Sequence, residues 1–178
     1  GLIIDETEGM PSSAAYRHRF GSLTRAYQLV EYRPDRDFAF IEINRRLRSL
    51  HPGIVETVIR ALEAGGALVT QEAATGLLWV NGMLSLSLVL ARCHCTPADA
   101  LRWLVRFEAG LAPDVTIVAR MNQDNQSLLD YYVLPSIDIQ VARRRIKEDN
   151  GTFFDGYRFE SLEYFFGIIQ TVKAGATA

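Results

Sequence analysis

The sequence predicts an α+β fold: an N-terminal helix-turn-helix and winged-helix half, followed by a mixed β-sheet with C-terminal helices. In the first part of the chain, apolar residues recur at intervals of three and four, which is typical of helices. From Met83 the interval changes to two, because four leucines between Leu84 and Leu90 alternate with other residues, as in a half-buried strand. We therefore predict two parts, residues 1–82 and 83–178.

The N-terminal half begins with helix signals in close succession. Pro11 with Ser12 or Ser13 marks a helix start, since a serine hydroxyl caps unpaired backbone N–H groups. Gly21 ends that helix, and Ser22 can cap a second one. With "LIID" as the end of an earlier helix, this order predicts a helix-turn-helix unit.

The next stretch predicts two more helices and a hairpin. One helix covers about residues 38–50 and is broken at His51-Pro52-Gly53. The next buries a stripe from Ile54 to Leu62, and two glycines end it. The segments "ALVT" and "LLWV" follow as a strand pair. Two helices followed by a hairpin predict the second part of a winged helix.

The C-terminal half predicts four strands and two helices. The strands are the alternating segment from Met83, "RWLVRF", "VTIVAR" and "DYYVLP". We expect residues 83–134 to form one sheet, with Asp114 near its edge. The helices are predicted near residues 139–148 and 160–172.

Composition sets the class of protein. The chain has 178 residues, 48% of them hydrophobic, so it can bury a core and is not disordered throughout. No charge-free apolar run reaches 18 residues, and no signal peptide is evident, so we expect no membrane segment. Two cysteines are too few for a disulfide framework, which favours the cytoplasm.

The basic residues are mostly arginine. The net charge is −2, yet 17 of the 19 basic residues are Arg. Arginine presents a planar fork that suits phosphates and guanine edges. A genome rich in G and C would produce the same excess through its codons, so composition alone leaves the cause open.

The stretch "PSSAAYRHRFGSL" predicts a helix that contacts double-stranded DNA. Its arginines could reach a base edge and a phosphate, and its serine-capped start could lie on a phosphate. A solvated surface helix is the alternative. The predicted DNA-binding residues are Ser12, Ser13, Arg17, His18, Arg19 and Arg25, with a second patch of Arg45, Arg46 and Arg48.

Residues 2–27, "LIIDETEGMPSSAAYRHRFGSLTRAY", resemble the helix-turn-helix repeat associated with homing endonucleases and other mobile-element proteins. The shared features are a Leu/Ile pair, a Pro-Ser start, Tyr-x-x-x-Phe-Gly-Ser and an amphipathic helix. The wider chain, through "PDVTIVARM", "DYYVLPSIDI" and "YRFESLEYFF", resembles the C-terminal region of bacterial serine-recombinase-family proteins. This resemblance implies DNA binding here and a catalytic serine domain upstream.

A nuclease is an alternative that the sequence leaves open. Restriction-type nucleases begin one strand with Asp and place an Asp or Glu two residues before a Lys on the next strand. The carboxylates bind Mg²⁺ and the Lys steadies the attacked phosphate. Here Pro113-Asp114 begins a strand with Glu108 upstream, but two residues after Asp130 comes Tyr132 instead of Lys. Pro-Asp before a strand is also an ordinary turn.

No other motif in the chain predicts a catalytic, metal or cofactor site. Cys93-His94-Cys95 lacks a second pair of ligands for a tetrahedral zinc site, so we expect a buried pair of thiols at a strand end. The sequence contains no G-x-S-x-G, Walker loop or G-x-G-x-x-G.

These observations lead to one expectation for function and two alternatives. We expect a non-catalytic DNA-binding C-terminal fragment of a larger recombinase-like or mobile-element protein. We expect a fragment because the chain begins "GLIID" without Met. Its partners would be double-stranded DNA, an upstream catalytic domain and possible further copies of the chain. The alternatives are a divergent Mg²⁺-dependent nuclease and a protein-interaction scaffold.

Overall fold

The computed structural model describes residues 11–31, 39–107, 110–139 and 141–175. They fall into two compact units, one ending at Glu42 and one beginning at Ile43. The helices are α1 (Ser13–Phe20), α2 (Leu23–Leu29), α3 (Ala39–Ala64), α4 (Thr152–Asp155) and α5 (Glu163–Gly175). The strands are β1 (Val69–Gln71), β2 (Leu78–Val80), β3 (Leu84–Ala91), β4 (Cys93–Cys95), β5 (Leu101–Arg106), β6 (Val115–Met121), β7 (Leu128–Pro135), β8 (Arg143–Ile146) and β9 (Arg158–Phe159).

The first unit contains α1 and α2, and both begin at the predicted serines. Ser12 Oγ accepts a hydrogen bond from the Ala15 amide, at 3.3 Å. Ser22 Oγ accepts from the Arg25 amide, at 3.1 Å. Gly21 ends α1 with a φ of 77°, which glycine adopts without strain. The predicted preceding helix lies outside the described residues, so a helix-turn-helix unit is not shown.

Helix α3 corrects the prediction of two helices separated at residues 51–53. It runs without interruption from Ala39 to Ala64, with Pro52 inside it. An interior proline costs a helix about 3 kcal/mol, because it lacks an N–H group and its ring clashes with the preceding turn. Val55, Val58 and Leu62 are all less than 7% exposed, and burial of each such side chain is worth about 1.5–3 kcal/mol. Packing therefore outweighs the local penalty.

The main sheet has six strands in the order β1-β2-β3-β6-β7-β9. β3 and β6 are parallel, and the other neighbouring strands are antiparallel. The predicted pairing of β1 with β2 is confirmed, but the hairpin continues into β3 as part of this sheet. The predicted winged helix is therefore not supported. Whether residues 1–82 and 83–178 are separate domains stays a prediction.

A second sheet of three strands, β4-β5-β8, corrects two further expectations. Residues 83–134 do not form one sheet, because β4 and β5 pair with β8 instead of with the main sheet. The helix predicted near residues 139–148 is also wrong, since Arg143–Ile146 forms strand β8. Ile146 lies opposite Trp103 and both are buried, so a distant partner decided this local structure.

The second unit has three layers and two hydrophobic cores. One core lies between the main sheet and helices α3 and α5; Val58, Leu86, Ile117 and Phe165 belong to it. The other lies between the opposite face of the main sheet and the three-stranded sheet. Helix α5 confirms the predicted C-terminal helix. No helix within the described ranges combines the length and the apolar character needed to cross a bilayer.

Candidate functional site

Asp114 is held at the start of β6 by a reciprocal set of hydrogen bonds with Ser85 of β3. The Ser85 amide and hydroxyl both donate to Asp114 Oδ2, at 2.8 and 2.6 Å. The Asp114 amide donates in return to Ser85 Oγ, at 2.9 Å. The hydrogen bond from the Ser85 hydroxyl, aided by its amide, holds the pKa of Asp114 below its usual value. The result is an exposed, ionised carboxylate in a fixed position.

This position differs from the one that the sequence predicted. We expected Asp114 near the edge of the sheet, but β6 lies between β3 and β7. The parallel pairing of β3 with β6 brings Ser85 and Asp114 side by side, although they are 29 residues apart in sequence. The sequence offers no local signal for Ser85, since only this long-range pairing gives it a role.

Asp130, the second predicted nuclease carboxylate, is engaged by two arginines. It is 2% exposed, and its two oxygens accept from Arg120 Nε and Nη2, both at 2.6 Å. Arg158 Nε also donates to Asp130 Oδ2, at 2.7 Å. A carboxylate in this arrangement is neutralised within the fold and has no oxygen to offer to a cation.

Asp114 and Asp130 are also far apart. Asp130 pairs with Arg120, six residues along β6 from Asp114, which corresponds to about 20 Å of strand. They do not share a metal site, so the predicted nuclease set is wrong in this respect. The third member, Glu108, lies outside the described residues. Among the residues that are described, no group of three or more His, Cys, Asp or Glu could hold a metal ion.

Tyr132, which stands where the nuclease pattern has Lys, belongs to a polar network. Its hydroxyl donates to Asp155 Oδ1 at 2.5 Å and accepts from Asn150 Nδ2 at 3.0 Å. Burial raises the pKa of the Tyr132 hydroxyl above its usual value. Burial alone would also raise the pKa of Asp155, but hydrogen bonds from Tyr132 and Asn150 outweigh it and lower that pKa. The Tyr132 side chain is therefore uncharged, and it cannot replace the lysine cation that steadies a phosphate in the nuclease pattern.

The predicted DNA-binding residues of α1 divide into exposed and buried positions. Arg17, His18 and Arg19 are exposed, and Ser12 caps the helix. Ser13 is only 5% exposed, so its side chain does not face solvent. Arg25 lies in α2 and is exposed. The second predicted patch, Arg45, Arg46 and Arg48, lies on α3, and its three side chains are exposed as well.

The two aromatic side chains of α1 are stacked and half-buried. The ring centroids of Tyr16 and Phe20 are 6.3 Å apart. Arg19 lies over the Phe20 ring at 5.8 Å, which directs its guanidinium along the helix surface.

The Cys93-His94-Cys95 segment forms strand β4, and its two thiols lie in different environments. Cys93 is 4% exposed and belongs to the second core, as expected. Cys95 is exposed, which corrects the expectation of a buried pair. Its Sγ lies 3.2 Å from Asp99 Oδ1, and this hydrogen bond raises the pKa of the thiol.

A cavity of about 310 Å³ opens beside β3, where its pairing with β2 stops at Leu86. His51 Nε2 donates to the Leu88 carbonyl at this unpaired edge, at 2.9 Å. Ser87 and Arg106 are among the lining residues. None of the predicted nuclease or DNA-binding residues lines this cavity, so it does not belong to the predicted site.

Comparison with known proteins gives one similar structure. No protein-family model matches the chain, and no curated protein matches it. Among solved structures, the bacterial homing endonuclease I-Ssp6803I is similar, with a TM-score of 0.41 and 16% sequence identity. The similarity covers 68% of this chain and 90% of that chain. It concerns the arrangement of the chain and assigns no residue a role.

This comparison corrects the predicted function. We expected a non-catalytic DNA-binding fragment, whereas the similar structure is named as an endonuclease, which is an enzyme. That name conflicts with the expected non-catalytic fragment and fits the nuclease alternative better. The homing-endonuclease part of the predicted resemblance agrees with the comparison, and the serine-recombinase part, with DNA recombination, has no support.

Proposed function

We propose that this protein is a divalent-cation-dependent nuclease that acts on duplex DNA, with Asp114 as its cation-binding carboxylate. One observation carries the proposal: Ser85 holds Asp114 ionised and exposed at the start of an interior strand. A carboxylate that is fixed before the cation arrives loses little entropy on binding it. The resemblance of residues 2–27 to mobile-element proteins supports the same class.

The carboxylate chemistry fits Mg²⁺ together with DNA. Mg²⁺ is commonly bound through one or two carboxylates plus the phosphates of the substrate. Asp114 would supply a protein oxygen and the DNA backbone a phosphate oxygen. When bound, the cation polarises the phosphoryl group and lowers the pKa of water. Asp114 would hold the cation in a fixed position, since its Oδ2 is anchored to Ser85.

The chain departs from the restriction-type pattern in a way that limits the expected rate. The residues that would complete the pattern on β7 are used structurally: Asp130 binds Arg120 and Arg158, and Tyr132 binds Asp155. Tyr132 also stands where the pattern has the lysine that steadies the attacked phosphate. Because such electrostatic contributions are large, we expect slow nicking rather than rapid cleavage.

We propose that exposed arginines bind the DNA itself. Arg17 and Arg19 of α1 are exposed on either side of His18, and the arginines of α3 are exposed as well. Contacts of this kind to phosphates supply affinity that does not depend on sequence. An upstream domain and association with further copies of the chain stay predictions.

The experiment is a plasmid-nicking assay with the Asp114→Asn variant. Asparagine keeps an acceptor oxygen for Ser85 and removes the charge that binds the cation. We expect the wild-type protein to nick supercoiled plasmid in Mg²⁺ or Mn²⁺, and the variant to lose at least tenfold in rate, corresponding to about 1.4 kcal/mol.

The matched control is Asp124→Asn, in the loop between β6 and β7. Asp124 is exposed and accepts from the Gln126 amide at 2.7 Å, so the same substitution again spares a backbone hydrogen bond. The control should nick at the wild-type rate. Absence of cation-dependent nicking in the wild-type protein, or equal rates for Asp114→Asn, would refute the proposal.

A further inference from the structure

The outward face of the three-stranded sheet carries arginines that no motif in the sequence indicated. Side chains along a strand alternate between its two faces. Trp103, Val105 and Ile146 are at most 1% exposed and point into the second core. The residues between them point away from that core. The arginines among them, Arg102 and Arg106 of β5 with Arg143 and Arg145 of β8, form what we call the arginine face.

The charge of the arginine face is not neutralised within the sheet. Arg106, Arg143 and Arg145 are exposed, and over the described parts of the chain no carboxylate forms an ion pair with them. Arg102 Nη1 donates to the Leu101 carbonyl, at 2.7 Å, which leaves its charge in place. No Asp or Glu occurs in the three strands. The face is therefore a concentrated positive surface on a chain whose net charge is −2.

The register of the strands places like charges directly opposite each other. Arg106 of β5 lies directly opposite Arg143 of β8. Like charges in directly opposed cross-strand positions destabilise a sheet. Such an arrangement is expected where an external anion offsets the repulsion.

Protection of a sheet edge does not account for these residues. Charged side chains on an edge strand do prevent association between sheets, and β8 is an edge strand. Arg102 and Arg106, however, lie on β5, the central strand of this sheet. An arginine there does not guard an edge, so half of the arginine face has no such role.

We propose that the arginine face binds the phosphate backbone of duplex DNA. Guanidinium groups pair with phosphate oxygens through two parallel hydrogen bonds, and four of them on one face match a polyanion. Leu104, which is 50% exposed between Arg102 and Arg106, offers no hydrogen bond to base edges. The face therefore positions DNA without reading its sequence. This inference rests on duplex DNA being the substrate of the proposed nuclease.

The test is a DNA titration at several salt concentrations in EDTA, with the full chain. The triple variant Arg106→Gln, Arg143→Gln and Arg145→Gln should lower the slope of log K against log salt by about 2.7, or about 0.9 for each phosphate contact. The charge-preserving variant with Lys at the same three positions should keep the wild-type slope. Circular dichroism checks that both variants are folded.

An unchanged slope in the glutamine variant would overturn the inference. Wild-type protein that binds heparin but not duplex DNA would also overturn it, because the face would then belong to another polyanion. EDTA removes the cation, so the titration does not depend on Asp114. Failure of the nicking assay would thus refute the proposed catalysis and leave this result standing.

Discussion

Arg120 is a charged side chain in the middle of a hydrophobic layer. It is 1% exposed, and its guanidinium carbon lies 4.3 Å from the Trp103 ring centroid and 5.0 Å from that of Tyr132. Its Nη1 donates to the Lys147 carbonyl, and its other nitrogens bind Asp130. Arg120 and Asp130 both have hydrogen-bonding partners, which is the condition under which a buried ion pair is tolerated.

Removal of the Asp130 carboxylate should therefore be costly. Asp130→Ala leaves Arg120 buried without a counter-ion, and breaking a buried pair in this way costs about 3–5 kcal/mol. We expect that loss in the free energy of unfolding, measured by urea denaturation with an unchanged m-value.

The matched control is Glu56→Ala, which removes the carboxylate that pairs with Arg60 on α3. The two side chains are 61% and 75% exposed, so their pair is worth at most about 1 kcal/mol. Equal losses of unfolding free energy in the two variants would show that burial does not determine how much the Asp130 ion pair contributes to stability.

The turn between β2 and β3 depends on two residues with positive φ. Asn81 and Gly82 have φ values of 55° and 66°, and the Met83 amide donates to the Val80 carbonyl at 3.1 Å. Asn-Gly in this conformation is the turn that matches the right-handed twist of a hairpin. Asn81 Oδ1 also accepts from the Leu68 amide, at 2.9 Å, which ties the turn to the segment before β1.

The same substitution should have opposite effects at two glycines. Gly82→Ala places a side chain at a positive φ, at a cost of about 1–2 kcal/mol, although no atom lies within 4 Å of the new Cβ. Gly53→Ala, inside α3 with equal space around it, should stabilise by about 0.5–1 kcal/mol because alanine loses less entropy in a helix. Thermal unfolding measures both, and shifts of the same sign would contradict this account.

At the scale of the whole molecule, a net charge of −2 conceals an uneven distribution of arginine. Exposed arginines occur on α1, on α3 and on the arginine face, whereas Arg120 is buried and structural. Net charge therefore does not argue against a polyanionic partner, because local surfaces determine binding.

The α1 arginines can be tested separately from the arginine face. Arg17→Gln with Arg19→Gln should lower the salt slope of duplex binding by about 1.8. The melting temperature should not change, since both side chains are exposed. Arg60→Gln, which removes an arginine already paired with Glu56, is the control and should leave the slope unchanged. An unaltered slope in the double variant would identify α1 as an ordinary solvated helix.

Local features of the fold were predictable from the sequence. The serine caps and Gly21 delimit α1 and α2, and alternation of apolar residues marks β3. The β1–β2 hairpin and α5 were also predicted correctly. These features depend on residues within a few positions of one another, through capping, turn conformation and side-chain period. A sequence displays such interactions directly.

The tertiary structure alone decided the features that depend on distant partners. β8 is a strand because it pairs with β5, about 40 residues earlier, and the arginine face exists only through that pairing. Pro52 stays inside α3 because the helix packs on the main sheet. Asp114 meets Ser85 through the parallel pairing of β3 with β6, and Asp130 is unavailable because Arg120 binds it. The sequence by itself determined which residues could carry chemistry; long-range pairing and burial decided which of them remain able to do so.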